Sequence, residues 1–190
     1  MIRTRNYVVT KQKPRWGRCA LAALTLVLGC GGSGSTPNVG DPGTISGKAG
    51  GKSVDTVASA YFIGQGDDPT HTTVVYVFDT TVSCADLGSA GWDQAITSGT
   101  GALEMKLVGT KAGKYAVATG ATPLQGEASV NFTVSSTSGT PAENSSHGGS
   151  VQLDTLDPEK LAKGSFDLQF ADGALKGTFA AAWCPDGHEP

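Results

Sequence analysis

The chain has 190 residues, with 14 basic and 17 acidic side chains, and its charge is unevenly placed. Six of the basic residues, including every arginine, precede residue 19; the remaining eight lysines face all seventeen acidic groups, a formal charge of −9. An arginine-free acidic surface excludes nucleic acid as a partner, because binding a phosphate backbone needs clustered Lys and Arg.

Residues 1–18 carry Arg3, Arg5, Lys11, Lys13, Arg15 and Arg18, and no acidic residue appears before Asp41. The apolar run Cys19–Leu28 follows and is closed by Gly29-Cys30. A positive segment, an apolar core of about ten residues and a small residue at the cut form the pattern of a secretory signal. The run is shorter than the roughly 20 apolar residues that span a bilayer. Within it, Leu26-Val27-Leu28-Gly29-Cys30 resembles the lipobox of bacterial lipoproteins. That resemblance implies cleavage before Cys30, a diacylglyceryl thioether on its sulfur and an acylated amino terminus. The alternative is an ordinary secretory signal that ends near an unrelated Cys. Two or more acyl chains hold a protein stably where one holds it only marginally, so a lipidated Cys30 would make a membrane the first partner. Gly31 stands where some inner-membrane lipoproteins carry Asp, which points to the outer membrane.

The organisation expected from this is a signal peptide over 1–29, a lipidated Cys with a flexible linker over 30–44, and one domain over 45–190. Residues 31–44 are rich in Gly, Ser and Pro and lack apolar periodicity, the composition of a flexible spacer. Removing the first 29 residues leaves 161, the size of a single domain. Of the four cysteines, Cys19 leaves with the signal and Cys30 takes the lipid. Cys84 and Cys184 then remain as an even pair in an oxidising compartment, which predicts a disulfide. A thiol site would need a nearby His or a Cys-x-x-Cys spacing, and neither is present.

Taken in chain order, Thr44–Ala49, the Gly50-Gly51 turn and Lys52 onward read as a hairpin, with residues 53–63 continuing extended. Thr72–Asp79 is a strand apolar on both faces, as central strands covered on each side are. Cys84–Ile96, with Trp92, is the candidate cover, as a short helix or loop. Leu103, Met105 and Leu107 alternate with Glu104 and Lys106, and Lys114–Thr119 is placed as the hairpin partner. Glu127–Ser136 alternates through Ala128, Val130, Phe132 and Val134, while 135–149 reads as a polar loop with little to pack. Val151, Leu153 and Thr155 are assigned to one strand face, ahead of Asp157-Pro158-Glu159, which starts a turn or one helical turn with Asp as cap and Pro at its first position. Gly164, Phe166, Leu168 and Phe170 face inward on the next strand, Asp172-Gly173 turns the chain, and Leu175, Phe179 and Ala181 return towards Trp183 and Cys184.

About eight short strands with scant helix predict an all-β fold, an antiparallel β-sandwich or a small β-barrel. The ending, Gly164-Ser-Phe-Asp through Asp172-Gly, Leu175, Gly177 and Phe179 to Cys184, resembles a C-terminal hairpin of small exported bacterial lipoproteins. The resemblance implies an all-β domain and brings no activity with it.

Candidate chemistry is sparse. Asp67, Asp68 and His71 lie within five residues and could ligate calcium or manganese, although the same residues serve an ordinary turn. His147-Gly-Gly-Ser150 is similar to the oxyanion loop of some esterases, but no Gly-x-Ser-x-Gly elbow accompanies it. His188 is the third and last histidine, thin material for acid–base catalysis. Asn131 and Asn144 head glycosylation sequons without consequence in a bacterial lipoprotein. Tyr61, Tyr76, Trp92, Tyr115 and Trp183 could line a pocket or a sugar-binding face, with core packing the default. The reading is therefore a non-enzymatic envelope lipoprotein without a cofactor, a structural or interaction module that meets an envelope protein or polysaccharide. The alternative is a small-ligand or carbohydrate binder, which would need a cavity of several hundred Å³.

Overall fold

The structure, a computed structural model, describes residues 40–64, 72–88, 99–119, 122–135 and 142–185, all within the compact unit Ser35–Pro190. Eleven strands are described: β1 (Gly43–Ala49), β2 (Lys52–Val54), β3 (Ser59–Gly64), β4 (Thr72–Phe78), β5 (Gly101–Val108), β6 (Gly113–Val117), β7 (Glu127–Val134), β8 (Ala142–Ser145), β9 (Gly148–Asp157), β10 (Leu161–Phe170) and β11 (Gly173–Trp183). One short helix, α1 (Cys84–Gly88), follows β4.

Eight strands close into a barrel in the order β3-β4-β5-β7-β6-β9-β10-β11, and β11 returns to β3. The fold is thus all-β, and of the two expected architectures it is the barrel. It is mixed rather than wholly antiparallel. Two parallel contacts, each two residue pairs long, join β6 to β7 and β11 to β3. Both arise because one long strand serves two neighbours along one edge. β11 pairs with β10 over nearly its whole length and divides its other edge between β1 and β3. β7 does the same with β6 and β8, opposite β5.

Alternation selects the interior. Phe62, Val75, Leu103, Met105, Phe132 and Leu168 are buried inside, and Glu104, Lys106, Ser165 and Asp167 point outward. On β4 the outward residues Val74, Tyr76 and Phe78 are buried as well. They form a second apolar cluster with Ile63, Val82, Leu87 and the Cys84–Cys184 disulfide, whose Cα atoms are 5.5 Å apart. Ser83 caps the covering helix: the Asp86 carboxylate accepts from the Ser83 backbone N–H and hydroxyl at 3.0 and 2.6 Å. This is the reciprocal capping arrangement, and the hydroxyl's hydrogen bond holds the Asp86 carboxyl below its ordinary range.

Four sequence expectations need correction. Lys114–Thr119 does not pair with Leu103–Leu107, because β7 occupies that edge of β5 through seven residue pairs. Residues 135–149 are not all loop: β8 pairs with β7, and β9 starts at Gly148. Backbone pairing there is supported by polar side chains, with Ser145 Oγ donating to Asn131 Oδ1 at 2.8 Å and Ser146 Oγ bonding the Gln169 carbonyl at 2.9 Å. Thr155 does not share the inward face with Leu153. The register with β10 shifts between Lys163 and Gly164, so one extra residue on β9 turns Thr155 outward and brings Leu156 against the core. The last turn is Ala171-Asp172 rather than Asp172-Gly173, since Phe170 already pairs with Gly173.

The barrel end where β4 and β7 finish is covered by the β1–β2 hairpin. Ala49 and Val54 are buried in the core, and the turn at Gly50 reaches Val134 and Asn144 on the far side. Polar bonds fasten it: Asp172 accepts from the Gly50 and Gly51 N–H groups at 3.1 and 2.6 Å. Lys52 pairs with Asp79 and donates to the Gly99 carbonyl, and Asp79 accepts from the Gly101 N–H at 2.8 Å.

Replacing Cys84 and Cys184 together by Ser is expected to lower unfolding free energy by about 2–5 kcal/mol. A denaturation midpoint equal to that of the oxidised protein would show that the bridge is dispensable. The hydrogen bond from Gly51 holds the Asp172 carboxyl below its ordinary range. A carboxyl whose folded pKa is depressed adds stability above its unfolded pKa and loses it as pH falls through the folded value. Asp172→Asn is therefore expected to lower the midpoint at pH 7 and to shrink the difference between pH 7 and pH 3, in the same urea titration.

Candidate functional site

At the opposite end, where β3 and β11 finish and β4 begins, the described residues bound a cavity of about 300 Å³. Its floor is the seam at which the barrel closes. Phe62 and Trp183 are paired residues of the parallel β3–β11 contact, and their rings lie 5.2 Å apart at 55°. Phe62 is only 2% exposed, whereas Trp183 is half-buried and borders the space. Trp183 lies over Gly64: a Cβ at residue 64 would come within 3.3 Å of the indole, so the absence of a side chain makes room for it. Thr73 at the start of β4 is buried, with its hydroxyl donating to the Gly109 carbonyl at 3.1 Å. Thr110 in the following turn completes that wall.

The remaining wall depends on the bulge in β9. Leu156, carried to the inner face by the extra residue, lines the cavity, followed by Pro158 and Glu159 of the turn into β10. The turn is closed by the Lys160 N–H donating to the Asp157 carbonyl at 3.1 Å. It is fixed to the seam by the Trp183 N–H donating to the Lys160 carbonyl at 3.0 Å. Pro at the second position and a left-handed residue at the third follow the type II pattern. That third residue is Glu159, at φ 60°, and no other described non-glycine residue has positive φ. A left-handed L-residue costs roughly 1–2 kcal/mol relative to an ordinary conformation, so a side chain there is held against backbone preference.

The arrangement offers apolar and aromatic walls, two hydroxyls and one carboxylate at the rim. Among the described residues that line it, no nucleophile is paired with a base. Among the described residues, no three His, Cys, Asp or Glu side chains gather as a metal-binding group.

The residues singled out from sequence distribute differently. Asp67, Asp68 and His71 lie outside the described residues, as do Cys30, Trp92 and His188. Cys84 and Cys184 are bonded to each other beside β4, away from the cavity. His147 is exposed between β8 and β9, near the covered end, with Nδ1 2.9 Å from the Gln169 carbonyl oxygen. Tyr76 and Tyr115 are core residues, and Tyr61 is half-buried, its phenol pKa raised chiefly by burial and then by the Asp86 charge. Of the four aromatic candidates among the described residues, only Trp183 lines the cavity. Sequence reading left out Phe62, Leu156 and Glu159 as site residues. Leu156 was hidden by the bulge, while Glu159 carried a usable signal, a Pro-x turn with an acid where glycine is usual. No protein-family model matches the chain, and neither a curated protein nor a solved structure does.

Proposed function

We propose that the domain is a binding module that takes a small, largely apolar ligand at the open end of the barrel, and that the protein is presented on a membrane by lipid on Cys30. The observation that carries the binding reading is the cavity of about 300 Å³ over the Phe62–Trp183 pair. It falls at the low end of small-molecule sites, about 300–1,000 Å³, and has their composition, apolar walls with a few placed polar groups. A partner-binding face has less to rest on. Among the described residues the only exposed large hydrophobic side chain is Leu124, at 68%, and the outer strands β2 and β8 are three and four residues long.

The tether reading draws support from how the barrel is dressed. Asp167 opposes Lys176 and Ser165 opposes Thr178 on the outer face of β10 and β11, while Phe166, Leu168 and Phe179 face inward. A membrane-spanning barrel has the reverse pattern, apolar outside and polar within. The outer face of β10 and β11 thus offers no apolar band to a bilayer, and attachment falls to the acyl chains at the far end of the 30–44 linker.

Binding is tested with N-phenyl-1-naphthylamine, a neutral apolar fluorophore, titrated into the mature protein. The wild type is expected to raise its emission saturably and to gain thermal stability with dye concentration, as any ligand of the folded state confers. Trp183→Leu, which keeps an apolar side chain, is expected to weaken binding about tenfold or more. Equal affinity in the variant, or no saturable binding by the wild type, would remove the cavity as the site. For the tether, wild type is expected to incorporate a clickable palmitate and to pellet with membranes. Cys30→Ala should do neither, and a variant that still pellets would contradict lipid anchoring.

A further inference from the structure

We propose that the ligand of the open barrel end carries a positively charged amine, with Glu159 as its counter-ion and Trp183 as the aromatic face on which the cation sits; this rests on reading that end as a binding site.

Among the described residues that line the cavity, Glu159 is the only ionisable one. No lysine is among those lining residues, and the chain has no arginine after Arg18. An anionic ligand would therefore meet a carboxylate with nothing to offset it. The neighbouring cation does not neutralise Glu159, because Lys160 is held by Asp157 at 3.1 Å. Among the described residues the Glu159 carboxylate has no hydrogen-bond or ion-pair partner.

The backbone strengthens the case. At φ 60° the third position of this turn is one that glycine occupies without strain, or Asn with little. A glutamate there adds nothing to the turn, and strain of this kind is found where the side chain has a task at a site. Half-buried Trp183 borders the same space. The face of an indole attracts a cation within about 6 Å of the ring, and attracts it more strongly when water is displaced. A carboxylate and an aromatic ring on one cavity together suit an ammonium group. The formal −9 charge of the chain beyond residue 18 adds a long-range field that draws cations towards the domain.

Three probes of one shape separate this inference from the cavity reading: 1-naphthylmethylamine, an ammonium at pH 7; 1-naphthylmethanol, neutral; and 1-naphthoate, anionic. Each is titrated into the wild-type mature protein at low salt, with binding followed by calorimetry. The ammonium is expected to bind about three- to tenfold tighter than the alcohol, the range an exposed ion pair and a cation–aromatic contact supply together, with the carboxylate weakest. Glu159→Gln is expected to abolish the preference for the ammonium over the alcohol. Glu159→Gly should abolish it too, with a melting temperature equal to or above wild type, because glycine fits the left-handed turn. If ammonium and alcohol bind equally to the wild type, or if Glu159→Gln keeps the preference, the inference is overturned while the cavity reading stands. If none of the three binds, both fall.

Discussion

The structure depends on the last strand. β11 is eleven residues long, pairs with β10 along nearly all of it, and holds β1 and β3 on its other edge. Until it is placed there is no closed barrel, because the return from β11 to β3 is the contact that joins the ends of the sheet. That contact brings together segments about 120 residues apart, and its entropy of closure is met only by burial that follows. The disulfide reinforces the same seam. Cys184 directly follows β11, and its partner Cys84 begins the helix that covers the outer face of β4. The aromatic pair at the cavity floor belongs to this seam as well, since Phe62 and Trp183 are a registered pair of the closing contact. Closure and site are one piece of structure, so a change that loosens the end of β11 alters both.

The two ends of the barrel differ for identifiable reasons. At one, the β1–β2 hairpin folds across the core and is fastened by Asp172, Lys52 and Asp79. At the other, no hairpin crosses among the described residues, and a bulge in β9 sets the shape. The extra residue opposite Lys163-Gly164 brings Leu156 inward and leads into a turn whose strained third residue, Glu159, borders the cavity. Bulges re-aim side chains at barrel rims, and here the re-aimed residues are those that bound the open space. A barrel filled by Phe and Leu through its middle leaves room for a ligand only at such an end.

Much of the fold is legible in the sequence because alternation is local. Leu103-Glu-Met-Lys-Leu107 and Gly164–Phe170 state their inward faces without help from the rest of the chain, and the run at Val74–Phe78 states that both faces are covered. The cysteine pair follows from elimination. Barrel and sandwich share this alternation, however, and what separates them is partner choice. The two parallel contacts are each only two residue pairs long, too short to leave a periodic trace. β8 is invisible for a different reason: Ala142-Glu-Asn-Ser145 pairs through its backbone and buries no large side chain. The bulge reverses the assignment of Thr155 and Leu156 because one inserted residue inverts a period of two. The site was half legible. Trp183 stands out as an aromatic near a strand end, while the role of Glu159 depends on a backbone angle.

The most direct measurement of the central claim, that this barrel is closed at one end and receives a ligand at the other, is amide chemical-shift mapping. The mature protein would be isotopically labelled and titrated with 1-naphthylmethylamine. Perturbations are expected to gather on Phe62, Thr73, Thr110, Leu156, Glu159 and Trp183, with Lys52, Asp79 and Asp172 unmoved. Perturbations centred on the β1–β2 hairpin, or spread over the outer faces of β10 and β11, would contradict it.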